Sequence, residues 1–117
     1  MDLNAIYLVS DSIGETADVV IRSALYQFET ENYQLKKYSY VQTTEEIDDI
    51  CAKAAEDEKA MIFYTFVKKE MADYMKERIE QSNLIGVDIY SPILTGLGQL
   101  FQLPAKDLMR LIETALF

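Results

Sequence analysis

The chain has 117 residues, of which 50% are hydrophobic, and a formal net charge of −9; this suits one domain with a real core and disfavours nucleic acid and anionic membranes as partners. It has no histidine and one cysteine, which excludes histidine-based triads, imidazole acid–base chemistry and an internal disulfide, and no metal site is predicted. No apolar run approaches the roughly 20 residues of a membrane span, and no signal-type segment opens the chain, so we expect a cytoplasmic protein.

Strand and helix patterns alternate along the first half of the chain. Residues 6–10 form a short apolar run, as expected of a strand buried on both faces. A helix is predicted from residue 13 to about residue 28, because apolar side chains recur there at helical spacing. Residues 35–41 include two lysines and predict a second strand near a sheet edge.

The same alternation continues in the second half. Residues 43–46, TTEE, match a capping box and predict a helix with an apolar face around Cys51, which we interpret as a small core residue. Residues 60–67 are rich in strand formers and predict the third strand. Methionines four residues apart predict a helix over 68–81, and residues 84–90 predict a fourth strand.

Two further helices are predicted after the fourth strand. Ser91 and Pro92 favour an N-cap followed by proline in the first turn, with a short helix through Phe101. Pro104 opens a last helix, because the residues after it have an apolar stripe. The stripe consists of Leu108, Leu111, Ile112, Ala115 and Leu116. Met109 and Phe117 lie beside it and suggest a contact with a second chain or with a missing domain; of the two, a homodimer is predicted.

This pattern predicts one α/β domain over residues 1–117, of the Rossmann or flavodoxin-like type. We expect four parallel strands in the order 2-1-3-4, doubly wound, with helices on both faces. The predicted core comprises Ile6, Leu8, Ile62, Phe63 and Val87. Ligands of such sheets bind beyond the carboxyl ends of the strands, where the winding reverses. A crevice between strands one and three is therefore expected, lined by Ser10, Asp11, Ser12, Thr65 and Lys68.

The stretch VSDSIGETA, residues 9–17, has two interpretations. In the first, Ser12 is the N-cap of the first helix and Glu15 completes a capping box. In the second, the N–H groups of the first helical turn bind phosphate or another anion near Ser10, Ser12, Gly14 and Thr16. Asp11 and Glu15 would oppose an anion by their charge. The four glycines of the chain form neither GxxxxGK[ST] nor GxGxxG, so no other nucleotide motif is present.

The segment IYLVSDSIGETA, residues 6–17, resembles the N-terminal signature of the bifunctional kinase–pyrophosphorylases that regulate pyruvate, phosphate dikinase or phosphoenolpyruvate synthase. Three later segments match family patterns in the same order: ALYQF at 24–28, FYTFV at 63–67 and VDIYSPIL at 87–94. The resemblance covers roughly residues 5 to 103. After Phe101 the chain departs from the expected family pattern.

The resemblance implies an activity and its partners. Family members phosphorylate a threonine of the dikinase with ADP, and remove that phosphate with inorganic phosphate, releasing pyrophosphate. They are more than twice this length, and their phosphate-binding P-loop lies in the C-terminal half. No residue of this chain is therefore assigned a P-loop role. The resemblance therefore implies an N-terminal domain that binds the partner enzyme, phosphate or the P-loop half, and that is inactive alone.

Two other classes of function remain open. One is a stand-alone flavodoxin-like module that binds phosphate or a small molecule without catalysis. The other is a protein-interaction domain that uses exposed helix faces. A ligand in the crevice after strands one and three would favour the binding module, and a large exposed apolar patch would favour the interaction domain.

Overall fold

The computed structural model describes residues 3–106, in which four strands and four helices alternate. The elements are β1 (Asn4–Ser10), α1 (Glu15–Leu25), β2 (Tyr33–Tyr38), α2 (Thr44–Glu56), β3 (Lys59–Thr65), α3 (Lys69–Gln81), β4 (Ile85–Asp88) and α4 (Ser91–Phe101). Almost all of the helix predicted after Pro104 lies outside the described residues. None of the helices within residues 3–106 combines the length and apolar character needed to cross a membrane.

The strands form one parallel sheet in the order β2-β1-β3-β4, which confirms the predicted fold class and strand order. β1 and β3 are paired along their whole length, with Ser10 opposite Thr65. Because parallel strands end at the same edge, this register brings the loops after β1 and β3 together. β2 lies at an edge of the sheet, as its lysines predicted.

The main core lies between one face of the sheet and the helices α2 and α3. Strand residues on this face alternate with residues on the other, as the two-residue period of a strand requires. The methionines of α3 and Cys51 of α2 are buried here, as predicted. The strand residues of this core are Ala5, Tyr7, Val9, Ile62 and Tyr64.

The opposite face of the sheet is covered less completely. Leu8 is buried there, in register with Phe63 and, beyond it, with Val87. Exposure rises along this row: Phe63 is half-buried and Val87 is 38% exposed. The prediction that Val87 belongs to the core is therefore wrong, and Ile6 and Phe63 are only partly buried. α1 contacts the sheet at β3, and no buried residue of α4 adds to this cover.

Two predicted helix ends differ from the structure. α1 ends at Leu25, so Phe28 lies in the following turn and is 67% exposed, although its spacing continued the apolar stripe. Ser91 is the first helical residue of α4 rather than its N-cap, and its N–H donates to the Asp88 carboxylate at 2.9 Å. Tyr90 precedes it as the capping residue.

The capping box of α2 is confirmed. The Thr43 hydroxyl accepts from the Glu46 N–H at 3.2 Å, and the Glu46 carboxylate accepts from the Thr43 N–H at 3.1 Å. The carboxylate also accepts from the Gln42 N–H at 3.0 Å. The pKa of Glu46 is lowered first by the Gln42 N–H, then by the Thr43 hydroxyl, which donates to the carboxylate at 3.0 Å, and by the Thr43 N–H. The stability that the ionised Glu46 carboxylate contributes is therefore fully present above the ordinary glutamate pKa. It is lost as the pH falls through the lowered pKa of the folded chain.

Thr43→Ala should lower the free energy of unfolding by about 1 kcal/mol, since the first turn of α2 loses its cap. Thr44→Ala, one residue later, removes only a side-chain bond to Glu45 and serves as the control. Urea unfolding at pH 7 measures both. Equal destabilisation by the two substitutions would contradict this account of the cap.

Candidate functional site

Asp11 joins the loops that follow β1 and β3. Its backbone N–H donates to the Thr65 carbonyl at 3.3 Å, and its carboxylate Oδ2 accepts from the Val67 N–H at 2.8 Å. The residue is 7% exposed. This burial raises the pKa of the Asp11 carboxyl, although the N–H groups of Val67 and Lys68 bind and favour the charged form. Asp11 thus fixes the β3–α3 loop to the end of β1.

The Asp11 carboxylate lies at the N-terminus of α3, where it accepts from the N–H of Val67, one residue before the N-cap. Lys68, the N-cap residue of α3, supplies no side-chain cap, and the carboxylate reaches this helix end from another loop. The negative group is favoured there by the helix dipole and by the N–H groups of the loop. The predicted crevice between β1 and β3 is therefore bridged at Asp11, with Lys68 exposed beside it.

Ser12 is not the N-cap of α1, and this corrects the predicted capping box with Glu15. Its N–H donates to the Ser10 hydroxyl at 3.0 Å, and the two hydroxyl oxygens lie 3.1 Å apart. Ser10 is buried, so this pair satisfies its hydroxyl at the end of β1. The side chains of the two serines bond within the loop between β1 and α1. Neither of them caps the N-terminus of α1.

The N-terminus of α1 begins at Gly14 and has no side-chain cap. Gly14 has φ 85° and ψ 15°, the left-handed conformation that glycine adopts at least cost. Its carbonyl accepts from the Asp18 N–H at 3.0 Å, which begins the helical ladder. A left-handed residue followed by the N–H groups of a first helical turn forms a concave anion-binding arrangement. Glu15 and Thr16, in this turn, are exposed.

The loop between β2 and α2 supports the β1–α1 loop, and the sequence did not predict this. The N–H groups of Tyr40 and Val41 donate to the carbonyls of Ser12 and Ser10, both at 2.9 Å. The Ser39 hydroxyl donates to the Ile13 carbonyl at 2.7 Å. These residues were assigned to a strand through residue 41, whereas β2 ends at Tyr38. The sequence gives no motif at Ser39, which stands between two tyrosines.

Two cations reduce the negative charge beside the α1 N-terminus. Asp18 lies in the first turn and forms ion pairs with Arg22 at 2.7 Å and Lys37 at 3.5 Å. Partial desolvation of Asp18 opposes its ionisation, but the Arg22 hydrogen bond and the Lys37 charge prevail and lower its pKa. Glu15 is the other acid of this turn. Arg22 and Lys37 therefore offset the charge of Asp18, whereas Glu15 still opposes an incoming anion by its charge.

The β1–α1 loop lines neither of two cavities described within residues 3–106. Two cavities within residues 3–106 have volumes of about 920 and 640 Å³. One lies between α3 and α4, and the other at the amino ends of the strands; neither is lined by residues 10–16. An open loop with an uncapped helix N-terminus suits a phosphate presented by another macromolecule better than an enclosed small molecule.

Fold and site together define a doubly wound α/β domain with an uncapped helix N-terminus beside its topological switch point. The chain belongs to the kinase/pyrophosphorylase family, whose model matches residues 6–115. This match extends beyond residue 103, where the predicted resemblance ended.

The similar proteins are named as pyruvate, phosphate dikinase regulatory proteins. The chain is 37% identical over 93 residues to one from Alkaliphilus metalliredigens, covering 80% of this chain and 33% of the relative. It is 36% identical over 101 residues to one from Alkaliphilus oremlandii, covering 86% and 36%. A third, from Staphylococcus haemolyticus, is 38% identical over 99 residues, covering 83% and 36%. The chain thus spans about a third of the length of these curated relatives.

Proposed function

We propose that this chain is the part of a pyruvate, phosphate dikinase regulatory protein that engages the partner enzyme and a phosphate group. The observation that carries the proposal is the uncapped N-terminus of α1, held in an open loop by β-strand ends and a neighbouring loop. The partner is pyruvate, phosphate dikinase or phosphoenolpyruvate synthase, and the location is cytoplasmic. The phosphate bound is that of the partner's phosphothreonine.

Within this proposal, the candidate residues divide into two groups. Ser12, Gly14, Glu15 and Thr16 present the loop and the first-turn N–H groups to the phosphate. The second group fixes the position of that loop through bonds at the ends of β1 and β3; it consists of Ser10, Asp11 and Thr65. Lys68 is exposed next to Asp11 and supplies a positive charge at the rim. Neither of the two described cavities includes this loop, which favours a phosphate on a macromolecule over a small molecule as its ligand.

The activity proposed for the longer protein is ADP-dependent phosphorylation of a threonine and its phosphate-dependent reversal. Phosphoryl transfer requires a cradle of N–H groups, a cationic clamp and usually a metal ion. The chain has no P-loop sequence, so ADP is proposed to bind elsewhere in the longer protein, and inorganic phosphate with it. The chain contributes recognition of the phosphorylated segment.

Binding of a dikinase peptide tests this proposal. A peptide that carries phosphothreonine should bind the chain at least tenfold more tightly than the same peptide with threonine, with an affinity that falls as salt rises. Gly14→Ala should weaken the phosphopeptide because φ 85° is strained for alanine. Val19→Ala, at an exposed position on α1, is the control. Equal binding of both peptides, measured by titration calorimetry, would refute the proposal.

We expect the chain alone to transfer no phosphate from ADP to the dikinase threonine. Asp11, the buried carboxylate of the site, is already bound to the loop before α3 and is not free to act as a base. The assay is ADP-dependent labelling of the partner enzyme, with a full-length relative alongside. Labelling by the chain above an Asp11→Ala control would make the β1–α1 loop a catalytic site and overturn this expectation.

A further inference from the structure

Three residues other than glycine have a left-handed backbone within residues 3–106: Tyr40 at φ 57°, Asn83 at φ 55° and Gln102 at φ 56°. Two of them lie at helix ends, since Asn83 comes just after α3 and Gln102 is the C-cap residue of α4. A left-handed residue is common at a helix C-terminus. Tyr40 differs from both, because it follows a strand, in the loop between β2 and α2.

The backbone of Tyr40 is held by the loop that bears the proposed phosphate site. Its N–H donates to the Ser12 carbonyl at 2.9 Å, and the next N–H, that of Val41, donates to the Ser10 carbonyl at 2.9 Å. Glycine adopts a left-handed conformation at least cost, whereas a bulky side chain is strained there. The hydrogen bonds therefore explain the conformation of the backbone, but they do not explain why the residue is a tyrosine.

The side chain of Tyr40 adds little to the described fold. It is 52% exposed, whereas Val41 beside it is 2% exposed and packs in the main core. Within residues 3–106 the Tyr40 side chain forms no hydrogen bond and no aromatic contact. A single exposed aromatic residue is ordinary on a protein surface. A strained backbone at such a residue is not, and strain of this kind is found where a ligand is bound.

We propose that Tyr40 is a specificity-determining residue whose ring packs on the partner segment beside the phosphothreonine. The inference rests on the proposed function, which places that segment over the β1–α1 loop. β1 and β2 are parallel, with Val9 opposite Tyr38, so the loops that follow them lie at the same edge of the sheet. A tyrosine ring offers a large, rigid apolar surface, and such rings dominate the energetics of binding surfaces.

Two dikinase peptides, one with phosphothreonine and one with threonine, test this inference. Tyr40→Asn should weaken the binding of both by about tenfold and leave the ratio of their affinities unchanged, because the lost ring contact does not involve the phosphate. Tyr40→Phe keeps the ring and should bind both peptides as the unsubstituted chain does. Tyr26→Asn removes a tyrosine that is 88% exposed at the other end of α1, and it is the control. Fluorescence anisotropy of labelled peptides measures the affinities.

Stability and a direct contact are measured alongside binding. Asparagine tolerates the left-handed conformation, so Tyr40→Asn should not lower the urea midpoint of unfolding. In the unsubstituted chain we expect nuclear Overhauser effects from the Tyr40 ring protons to the bound phosphopeptide. This second measurement does not depend on the folding of any variant, and absence of these effects would overturn the inference.

The binding results separate this inference from the proposed function. Equal affinity of Tyr40→Asn and the unsubstituted chain for the phosphopeptide would overturn the inference alone. A loss confined to the phosphopeptide would make Tyr40 a support of the β1–α1 loop and would also overturn it. Equal binding of the two peptides by the unsubstituted chain would refute the phosphate site, whereas a tenfold loss of both with Tyr40→Asn would still support the ring contact. Binding of neither peptide would overturn both proposals.

Discussion

Asp11→Ala is expected to lower the free energy of unfolding by about 1–3 kcal/mol, because it leaves a buried N–H group without its acceptor. The acceptor of the Val67 N–H would be lost at the junction of β1 and β3, where Asp11 is 7% exposed. The β3–α3 loop would lose its connection to the β1–α1 loop. Denaturant unfolding measures the change in stability, and amide hydrogen exchange at Val67 and Lys68 locates it.

Asp11→Asn is the matched control, because it keeps a carbonyl oxygen for the Val67 N–H. Burial raises the pKa of Asp11 in the folded chain, so ionisation of this group opposes folding. The stability that the protonated Asp11 carboxyl contributes is fully present below the pKa of Asp11 in the unfolded chain. It is lost as the pH rises through the raised pKa of the folded chain. The stability of the wild type relative to Asp11→Asn should therefore fall as the pH rises from below 4 to neutrality. A relative stability that rises over this range would contradict the assigned direction.

Gly86→Ala is expected to destabilise the fold by about 1–3 kcal/mol through overpacking of the core. A Cβ atom at Gly86 would lie 2.7 Å from Ile79 Cδ1 and 3.0 Å from its Cγ2. Ile79 is 4% exposed on α3 and packs in the main core, so its side chain would have to shift to make room for the added Cβ. Thermal and urea unfolding give the size of the effect.

Gly96→Ala supplies the opposite result in the same experiment. Gly96 lies inside α4, and a Cβ atom there would meet nothing within 4 Å. Alanine in place of glycine in a helix interior is expected to stabilise by about 0.5–1 kcal/mol. Destabilisation by Gly96→Ala, or no effect of Gly86→Ala, would show that the packing around these glycines differs from that described.

The sheet could be predicted from the sequence because its signals are local and agree with one another. Apolar runs alternating with helical stripes have one common solution, a parallel sheet, and right-handed crossovers restrict the strand order. The α2 cap was predicted for the same reason, since Thr43 and Glu46 interact only with each other and their neighbours. Cys51 and Met75 are buried because their helix faces are apolar throughout.

The start of α1 could not be predicted because two local solutions compete. Ser12 and Glu15 have the spacing of a capping box, but the Ser12 N–H is bound by Ser10, which belongs to the strand. Carbonyls of the same loop accept from Tyr40 and Val41, residues about thirty positions away. Contacts of that range fix the loop, leave Gly14 in the left-handed region and are absent from any local pattern.

The exposure of Val87 has a different cause. Its strand has the composition of a buried segment, but burial also requires an element on each face of the sheet. α1 contacts the sheet at β3, and within residues 3–106 nothing comparable covers β4 on this side. The sequence alone predicts which residues are apolar, and does not determine which of them another element covers.

The most direct test of the phosphate site is a titration of the chain with inorganic phosphate, observed through backbone amide signals at constant ionic strength. The N-terminus of α1 has no side-chain cap, whereas a carboxylate, that of Asp11, already lies beside the N-terminus of α3, so the two helices provide an internal comparison. We predict saturable shifts at Gly14, Glu15, Thr16 and Ala17 and none at Lys69 and Glu70. Equal shifts at both helix ends, or none at α1, would contradict the account.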